Sequence, residues 1–424
     1  MRLKILLIVS LVMTGTGLFA QNLDKAKDLL KAHKLPEAKA EIDKALTVEK
    51  NQKSADAWYQ KLKIYNAIAA DSSISGQYPD ARMQAFEALK KYTELDDKKL
   101  VMLQLEQYKP VNDIYQGFFK VGADDYNSGK YADALANFKG ALLASQFMNA
   151  KGWTTLRMDT TSTLYAGISA EKANQKDTAA NYYGKIADSG ITKINGAPMD
   201  QIYKWLVDHY EKKKDDANMN KYLALGQRAF PEDLFWPTEK LDYLREGGNK
   251  DSLFAYYDVV ISQYPKNNLF FFNYGLELYQ YASDTSTGKK VANSDALTAK
   301  AQTMLTKSLE LQPDYPQASL VMGQIAYNAG VDLQAQAKAI KVKTPDDTKK
   351  KADLRAAAAK KFDEAIPYFV KVDEDLGGKG KLKMEEKRNL KDAYDLLITI
   401  YEQKKDQPKV DAFTAKFNDV DKVH

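Results

Sequence analysis

The chain has 424 residues, of which 44% are hydrophobic and 28% charged, and this is the composition of a folded protein. Cysteine is absent, which excludes disulfides and thiolate metal sites. A formal net charge of +5 provides no strong steering towards nucleic acid, and we expect no nucleic-acid partner.

The N-terminal segment has the layout of a secretory signal peptide. Arg2 and Lys4 precede an apolar run that begins at Ile5, and small residues follow it. Such a segment is too short and wrongly flanked for a lasting membrane anchor. We therefore predict a signal peptide at 1–20, and a mature chain that is periplasmic or otherwise exported and has no transmembrane anchor. No cysteine follows the apolar run, so lipid attachment is not expected.

A stripe of small and apolar residues returns along the chain at fixed spacing. In the first copy Ala26 is followed 12, 16 and 19 residues later by Ala38, Ile42 and Ala45. The last three residues share one side of an α-helix, because their spacing follows the helical period. Four further sets have the same offsets: Gly122, Ala134, Phe138 and Ala141; Gly167, Ala179, Tyr183 and Ile186; Val207, Met219, Leu223 and Gly226; Leu241, Leu253, Tyr257 and Val260.

This spacing resembles the tetratricopeptide repeat (TPR), a helix–turn–helix unit of 34 residues. Small residues at its helix crossing let two helices approach closely, and a neighbouring aromatic side chain fills the groove towards the next repeat. Polar turns such as "NSGKY" and "EGGNKD" separate the helices of a pair. The resemblance implies an all-α fold, a right-handed superhelical solenoid of about nine TPR-like helical hairpins.

Two later repeats fit this pattern only with insertions. In the seventh repeat Ala301 lies 26 residues after Gly275, and in the eighth Ala365 lies 42 residues after Gly323. We predict helical insertions in both repeats and a closing hairpin after them.

The segment "AFPEDLFWPTEK" interrupts the regular spacing with two prolines and a large aromatic pair. Such an interruption favours a joint in the array, because repeat arrays make contacts only between neighbours. We predict an N-terminal TPR-like array at 21–232 and a C-terminal array, with the insertions and the closing hairpin, at 233–424.

The insertion of the eighth repeat is strongly basic. The segment Lys338 to Lys361 holds nine basic residues and three acidic ones, and its composition favours helix on both sides of "TPDD". It suits either docking to an acidic protein or to anionic lipid head groups, or a solvated helical extension without a partner.

Residues that could carry catalysis or hold a metal are sparse. The three histidines, His33, His209 and His424, belong to distant repeats, and no nucleophile–base motif accompanies them. The segment "SDTSTGKK" lacks the first glycine and the final Ser/Thr of a phosphate loop, and "DDYNSGKYADAL" lacks two ligand positions of a calcium loop. We expect no catalytic residue, metal site or cofactor, and no enzyme activity.

The resemblance also implies where a partner would lie. In the resembled family, ligand contacts come mostly from first-helix positions two, five, nine, twelve and thirteen. This register selects aromatic and amide residues of the third, seventh and eighth repeats: Phe119, Tyr126, Asn127, Phe272, Tyr279, Gln280, Gln324, Tyr327 and Asn328. The family's clamp for a C-terminal carboxylate needs lysine at position five and asparagine at nine. The fifth repeat has Lys204 and Asp208 there, so the clamp is absent.

These features predict a non-enzymatic scaffold or adaptor of the bacterial cell envelope that binds a protein or peptide in its concave groove. Peripheral association with the envelope is compatible with this function. Two alternatives remain open: a glycan-binding helical protein of a nutrient-uptake system, and a hydrolase with a carboxylate pair on the concave face.

Overall fold

The computed structural model of the chain describes residues 22–96, 99–284 and 290–423. The predicted signal peptide at 1–20, His424 and most of "SDTSTGKK" lie outside the described residues. In the part of the chain that is described, no helix is both long and apolar enough to cross a bilayer.

The first of two compact units, Met1–Trp236, consists mainly of consecutive helix pairs. Residues 22–31 form α1. The next helices are α2 (Leu35–Ala45), α3 (Glu49–Gln52), α4 (Ala55–Ala70), α5 (Ala81–Leu95), α6 (Val101–Leu105), α7 (Lys109–Asn127), α8 (Tyr131–Ala150), α9 (Thr160–Lys172), α10 (Lys176–Asp188), α11 (Asp200–Lys212) and α12 (Asp216–Ala229), with a 3₁₀ turn at Ser75–Gln77. Five pairs result: α1 with α2, α4 with α5, α7 with α8, α9 with α10, and α11 with α12.

The second unit, Pro237–His424, also consists of consecutive helix pairs. Its helices are α13 (Phe235–Glu246), which begins two residues before the unit, α14 (Lys250–Gln263), α15 (Asn268–Ser283), α16 (Ser294–Leu311), α17 (Pro316–Ala339), α18 (Pro345–Leu376), α19 (Met384–Lys404) and α20 (Gln407–Val423). They form four pairs in chain order. The described residues therefore contain nine successive pairs, and the predicted all-α array of TPR-like hairpins is confirmed.

Small residues of the stripe lie where an aromatic ring of the partner helix touches the backbone. A Cβ on Gly122 of α7 would be 3.2 Å from the ring of Phe138 on α8, and one on Gly167 of α9 would be 2.5 Å from Tyr183 on α10. Ala134, at the same crossing as Gly122, is fully buried. The fixed offset thus encodes a close approach of two helices.

The interrupted repeats close in the same way. A Cβ on Gly275 would be 2.7 Å from the side chain of Leu305, and one on Gly323 would be 2.5 Å from the ring of Phe369. These contacts join α15 to α16 and α17 to α18 across the insertions, as the sequence predicts. Within the insertion of the seventh repeat, residues 285–289 lie outside the described residues, and the described residues 284 and 290–293 form no helix.

A small β-ribbon between α10 and α11 departs from the purely helical prediction. Lys193–Ile194 pairs antiparallel with Ala197–Pro198 through a two-residue turn. The turn residues Asn195 and Gly196 have φ values of 51° and 82°, which match the type I′ turn that Asn-Gly favours. The ribbon brings Pro198 and Met199 to the start of α11.

The division between the two units falls after Trp236. Helix α13 contains this point, and its first two residues belong to the first unit. The arrays inferred from sequence, 21–232 and 233–424, stay a prediction about domain organisation.

Candidate functional site

An open groove of about 670 Å³ lies between α9 and α11, the first helices of two consecutive repeats. Its lining is mostly aliphatic and aromatic: Leu164, Ile168, Glu171, Tyr183, Pro198, Met199, Gln201, Ile202, Lys204, Trp205, Asp208 and Phe235. With Gly167 and Val207 at position eight of their repeats, the lining takes positions five, nine and twelve of α9 and positions two, three, five, six and nine of α11. Six of the twelve lining residues thus stand at first-helix positions along which the resembled family binds ligands.

Aromatic side chains form the rigid part of this groove. Tyr183 lies against the backbone of α9 at Gly167, and its ring meets Trp205 edge to face, with centroids 5.1 Å apart. Trp205 in turn stacks on His209 at 5.0 Å, with an angle of only 8° between the rings. Because packing fixes these rings on both sides, the groove is largely formed before any partner arrives.

The apolar wall is contributed by α9. Leu164 and Ile168 are half-buried and lie one helical turn apart, so they face the same direction. Met199, next to the β-ribbon, is buried, whereas Phe235 at the start of α13 keeps part of its ring exposed. The groove therefore offers apolar surface that no described element of the first unit covers fully.

Carboxylates surround the apolar surface. Tyr183 donates its hydroxyl to Glu171 at 2.7 Å, and burial together with this bond raises the pKa of Tyr183. Asp208 pairs with Lys212 at 2.6 Å. The carboxylates of Glu171 and Asp208 thus lie among the lining residues. They favour a ligand that carries a positive charge next to its apolar group.

The single basic residue of the lining is already neutralised. Lys204 lies 2.6 Å from Asp233 and 3.3 Å from Asp200, and its ammonium group lies 5.3 Å from the ring centroid of Phe235. The hydrogen bond to Asp233 raises the pKa of Lys204, as does the one to Asp200. Lys204 is thus held in place by two carboxylates and does not present a free charge to an anionic ligand.

Other grooves of the first unit have a different character. One of about 760 Å³ between α4 and α7 is lined by ion pairs such as Lys63 with Glu106 at 2.8 Å. Another, on the second helices, includes Lys139, Lys185 and Asp188. In the described residues, no group of three or more His, Asp or Glu side chains could hold a metal ion. The groove between α9 and α11 is therefore the better candidate for a partner with an apolar group.

A pH effect should arise beneath the groove. His209 is only 7% exposed, and burial lowers its pKa, although Asp177, 3.3 Å from its Nε2, opposes the shift. The neutral ring is thus favoured in the folded state, so stability is full above the ordinary pKa near 6.5 and is lost as the pH falls below it.

The melting temperature of the protein should decrease as the pH falls from 7.5 to 5.5, and we expect a smaller decrease in His209→Gln than in the wild type. His33→Gln is the matched control, because the side chain of His33 is 74% exposed. Thermal unfolding measured at five pH values distinguishes the two. If His209→Gln shows the same dependence of melting temperature on pH as the wild type, His209 is not the cause of the pH effect.

The residues predicted in the third repeat lie on α7, one repeat before the groove. Phe119 and Tyr126 are half-buried, and both meet the ring of Tyr165 on α9, at 6.2 and 6.1 Å. Phe138 stacks on the same ring at 5.4 Å. Asn127 is exposed near the end of α7. The structure thus joins Phe119 and Tyr126 through one tyrosine of the next repeat.

The tyrosine and amide residues predicted in the seventh and eighth repeats partly contact each other. Asn328 donates its side-chain N–H to the hydroxyl of Tyr279 at 2.6 Å, and burial raises the pKa of this tyrosine. Tyr327 packs on Phe362 of α18 at 5.4 Å. These contacts leave Tyr279 and Tyr327 half-buried between helices, whereas Asn328 stays exposed.

The other predicted residues of these two repeats differ in exposure. Phe272 is buried, and its ring meets Tyr315 edge to face at 5.0 Å, so it contributes to packing rather than to the surface. Gln280 is exposed and Gln324 is half-buried. As partner contacts, the predicted residues stay a prediction.

The lining of the α9–α11 groove was not selected from the sequence. The signal was nonetheless present, since the same register places Leu164 and Ile168 at positions five and nine of the fourth repeat. In the sequence such residues look like ordinary core residues. Only the spacing of the neighbouring helices shows that they are partly exposed.

No protein-family model and no curated protein matches the chain. Among solved structures, the C-terminal part of a TPR repeat-containing protein from Cytophaga hutchinsonii is 16% identical, with a TM-score of 0.41, over 72% of this chain and 96% of that one. A TPR repeats protein from Bacteroides fragilis is 15% identical, with a TM-score of 0.30, over 66% and 98%. Yeast Tom70 is 13% identical, with a TM-score of 0.23, over 96% and 92%. Likenesses this distant carry no argument about a partner.

Proposed function

We propose that the protein binds an extended segment of a partner protein in the groove between α9 and α11 and catalyses no reaction. The observation that carries this proposal is an open, mostly apolar groove that follows the first-helix register and has a rigid aromatic floor. Pre-positioned rings reduce the ordering that binding requires, and tyrosine and tryptophan supply large contact areas with polar tips.

The charges around the groove indicate the kind of segment. The lining and its ionic partners carry four carboxylates, from Glu171, Asp208, Asp200 and Asp233, against the two ammonium groups of Lys204 and Lys212. A segment with a large apolar side chain next to a lysine or arginine complements this arrangement. Burying such an apolar side chain contributes about 1.5–3 kcal/mol, which is roughly 10- to 150-fold in affinity.

Selection of peptides from a displayed random library on the immobilised chain, without residues 1–20, tests the proposal. We expect the recovered peptides to share a large apolar residue with an adjacent basic one. Their affinity should fall by more than about tenfold for Ile168→Asp, which puts a charge on the apolar wall. Leu143→Asp is the matched control, because Leu143 is 46% exposed on α8 and lies outside the groove.

The charge preference has its own test. Asp208→Lys should shift the selected peptides away from basic neighbours while keeping the apolar residue, because Asp208 is exposed and the variant reverses a charge among the lining residues. Equal binding to the wild type and Ile168→Asp, or recovery of no peptide, would overturn the proposed groove function.

The alternatives from the sequence would give different results. Saturable binding of an oligosaccharide, lost in Trp205→Ala, supports a glycan-binding function instead. Turnover of a glycoside, abolished by Glu171→Gln or Asp208→Asn, supports a hydrolase.

The proposed setting is the bacterial cell envelope, with the chain exported through the signal peptide at 1–20. The observation behind it is the basic and then apolar layout of that segment. Cell fractionation with N-terminal sequencing of the mature protein tests it. A mature protein that keeps Met1 in the cytoplasmic fraction would contradict the proposed setting and leave the groove proposal untouched.

A further inference from the structure

The hairpin of α17 and α18 ends in a tip, residues 338–360, that contributes little to the core. A Cβ on Gly330 would be 2.7 Å from the ring of Phe362, so the two helices are tightly packed at that level. On α17 the last buried residue before the tip is Ala337. On α18 the first buried residue is Ala358, near the end of the tip. No residue from 338 to 357 is buried. About twenty consecutive residues at the end of this hairpin therefore stay outside the core.

The tip concentrates positive charge. It holds eight basic and three acidic residues, a net charge of +5, which equals the net charge of the whole chain. The remainder of the chain is therefore neutral. The basic residues are Lys338, Lys341, Lys343, Lys349, Lys350, Lys351, Arg355 and Lys360. Among the described residues, none of these eight lies within 4.0 Å of a carboxylate, whereas neighbouring Lys361 pairs with Glu364 at 2.6 Å.

One of the three acidic residues, Asp347, caps the start of α18 and so does not pair with the basic side chains of the tip. Asp347 accepts hydrogen bonds from the backbone N–H groups of Lys343 and Thr344, and the side chain of Thr344 caps the start of α18 in return. These bonds lower the pKa of Asp347, so its carboxylate is committed to the helix start. The positive end of the helix dipole lies at the same place.

The loop between the two helices adds exposed apolar groups. Val342 is 52% exposed and stands between Lys341 and Lys343, and Ile340 is half-buried. The whole tip contains no aromatic residue and only one arginine. It therefore lacks the aromatic anchors that are enriched at protein interfaces and has only one of the arginines enriched there, and it has no ring on which a nucleobase could stack.

We propose that this tip binds the surface of an anionic phospholipid bilayer. Lysine side chains reach lipid phosphates while their stems lie against the acyl boundary, and a short apolar loop can enter that boundary between them. Each lysine near an anionic membrane surface adds attraction that falls off within a Debye length of about 10 Å at 0.1 M salt.

Flotation of the purified mature chain with vesicles tests the proposal. We expect the chain to float with phosphatidylglycerol–phosphatidylcholine vesicles at 50 mM salt, to remain unbound with pure phosphatidylcholine, and to be released at 500 mM salt. Replacing Lys341, Lys343, Lys349 and Lys350 together by glutamine should lower the partition coefficient at least tenfold. Glutamine has a helix propensity close to that of lysine, so α18 should remain folded.

A matched variant separates a local effect from net charge. Replacing Lys31, Lys53, Lys109 and Lys120 by glutamine removes the same charge from side chains that are 72–80% exposed in the first unit. This variant should change the partition coefficient less than twofold. Val342→Ser keeps the charge and should lower binding about threefold through its lost apolar area.

Three results would overturn the proposal. The tip variant could bind vesicles as well as the wild type does, or the control could lose binding equally. The chain could also bind poly-glutamate through the tip while ignoring anionic vesicles, which would indicate an acidic protein partner instead.

Discussion

Replacing Phe369 by alanine is expected to lower the free energy of unfolding of the second unit by about 3–5 kcal/mol. The side chain is fully buried, and its ring lies on the backbone of α17 where Gly323 has no Cβ. Removing it deletes apolar contacts and leaves a cavity between two helices that cannot close without moving apart. The eighth repeat should lose its hairpin packing first.

Urea unfolding followed by circular dichroism measures the loss of stability. Hydrogen exchange of peptides from α17 and α18 shows whether the loss lies in this hairpin. Phe369→Leu keeps most of the volume and should cost less than the alanine variant does. Val342→Ala, at a site that is 52% exposed, should change stability by no more than about 0.5 kcal/mol. A loss below about 1 kcal/mol for Phe369→Ala would mean that the ring does not hold the hairpin.

The pairing of α17 with α18 could be predicted because it depends on a local rule. Phe369 stands four residues after Ala365, just as Phe138 stands four after Ala134. The spacing between two residues of the same helix does not change when residues are inserted between the two helices of a pair. The sequence therefore identified the partner helices even where 42 residues separate Gly323 from Ala365.

The β-ribbon escaped prediction for the opposite reason. Strands of two residues are too short to show an alternating pattern, so only the turn residues could have indicated them. Asn195 and Gly196 form such a turn signal, but it stood between two helical stripes. Short elements that serve to position a neighbour, here Pro198 and Met199 at the groove, are the ones that periodicity misses.

The groove itself depends on a distance that one sequence does not contain. Leu164 and Ile168 have the spacing of buried helix residues, and they stay partly open because α9 and α11 leave a groove between them. Conversely, Tyr279 and Asn328 look like free recognition residues but hydrogen-bond to each other. Register predicts which face of a helix a residue takes, and packing between helices decides whether that face is covered.

Replacing Gly226 by alanine is the second change for which we expect a large effect, a loss of about 1–3 kcal/mol in the stability of the first unit. A Cβ at this position of α12 would lie 2.4 Å from the ring of Trp236, which is fully buried. Alanine favours helix over glycine by about 1 kcal/mol, so a net loss requires the clash to exceed that gain. Gly76→Ala is the control, because nothing lies within 4 Å of a Cβ there.

A double-variant cycle shows whether the loss comes from this one contact. Among the described residues no hydrogen bond reaches Nε1 of Trp236. The ring is held by packing against Phe235 at 4.9 Å and Phe230 at 6.5 Å and by the ammonium group of Lys204, 5.9 Å from its centroid. Trp236→Leu removes the atoms that meet the added methyl group. In that background Gly226→Ala should become neutral or stabilise by up to about 1 kcal/mol, the helix-propensity gain. Additive losses in the double variant would instead place the strain elsewhere in α12.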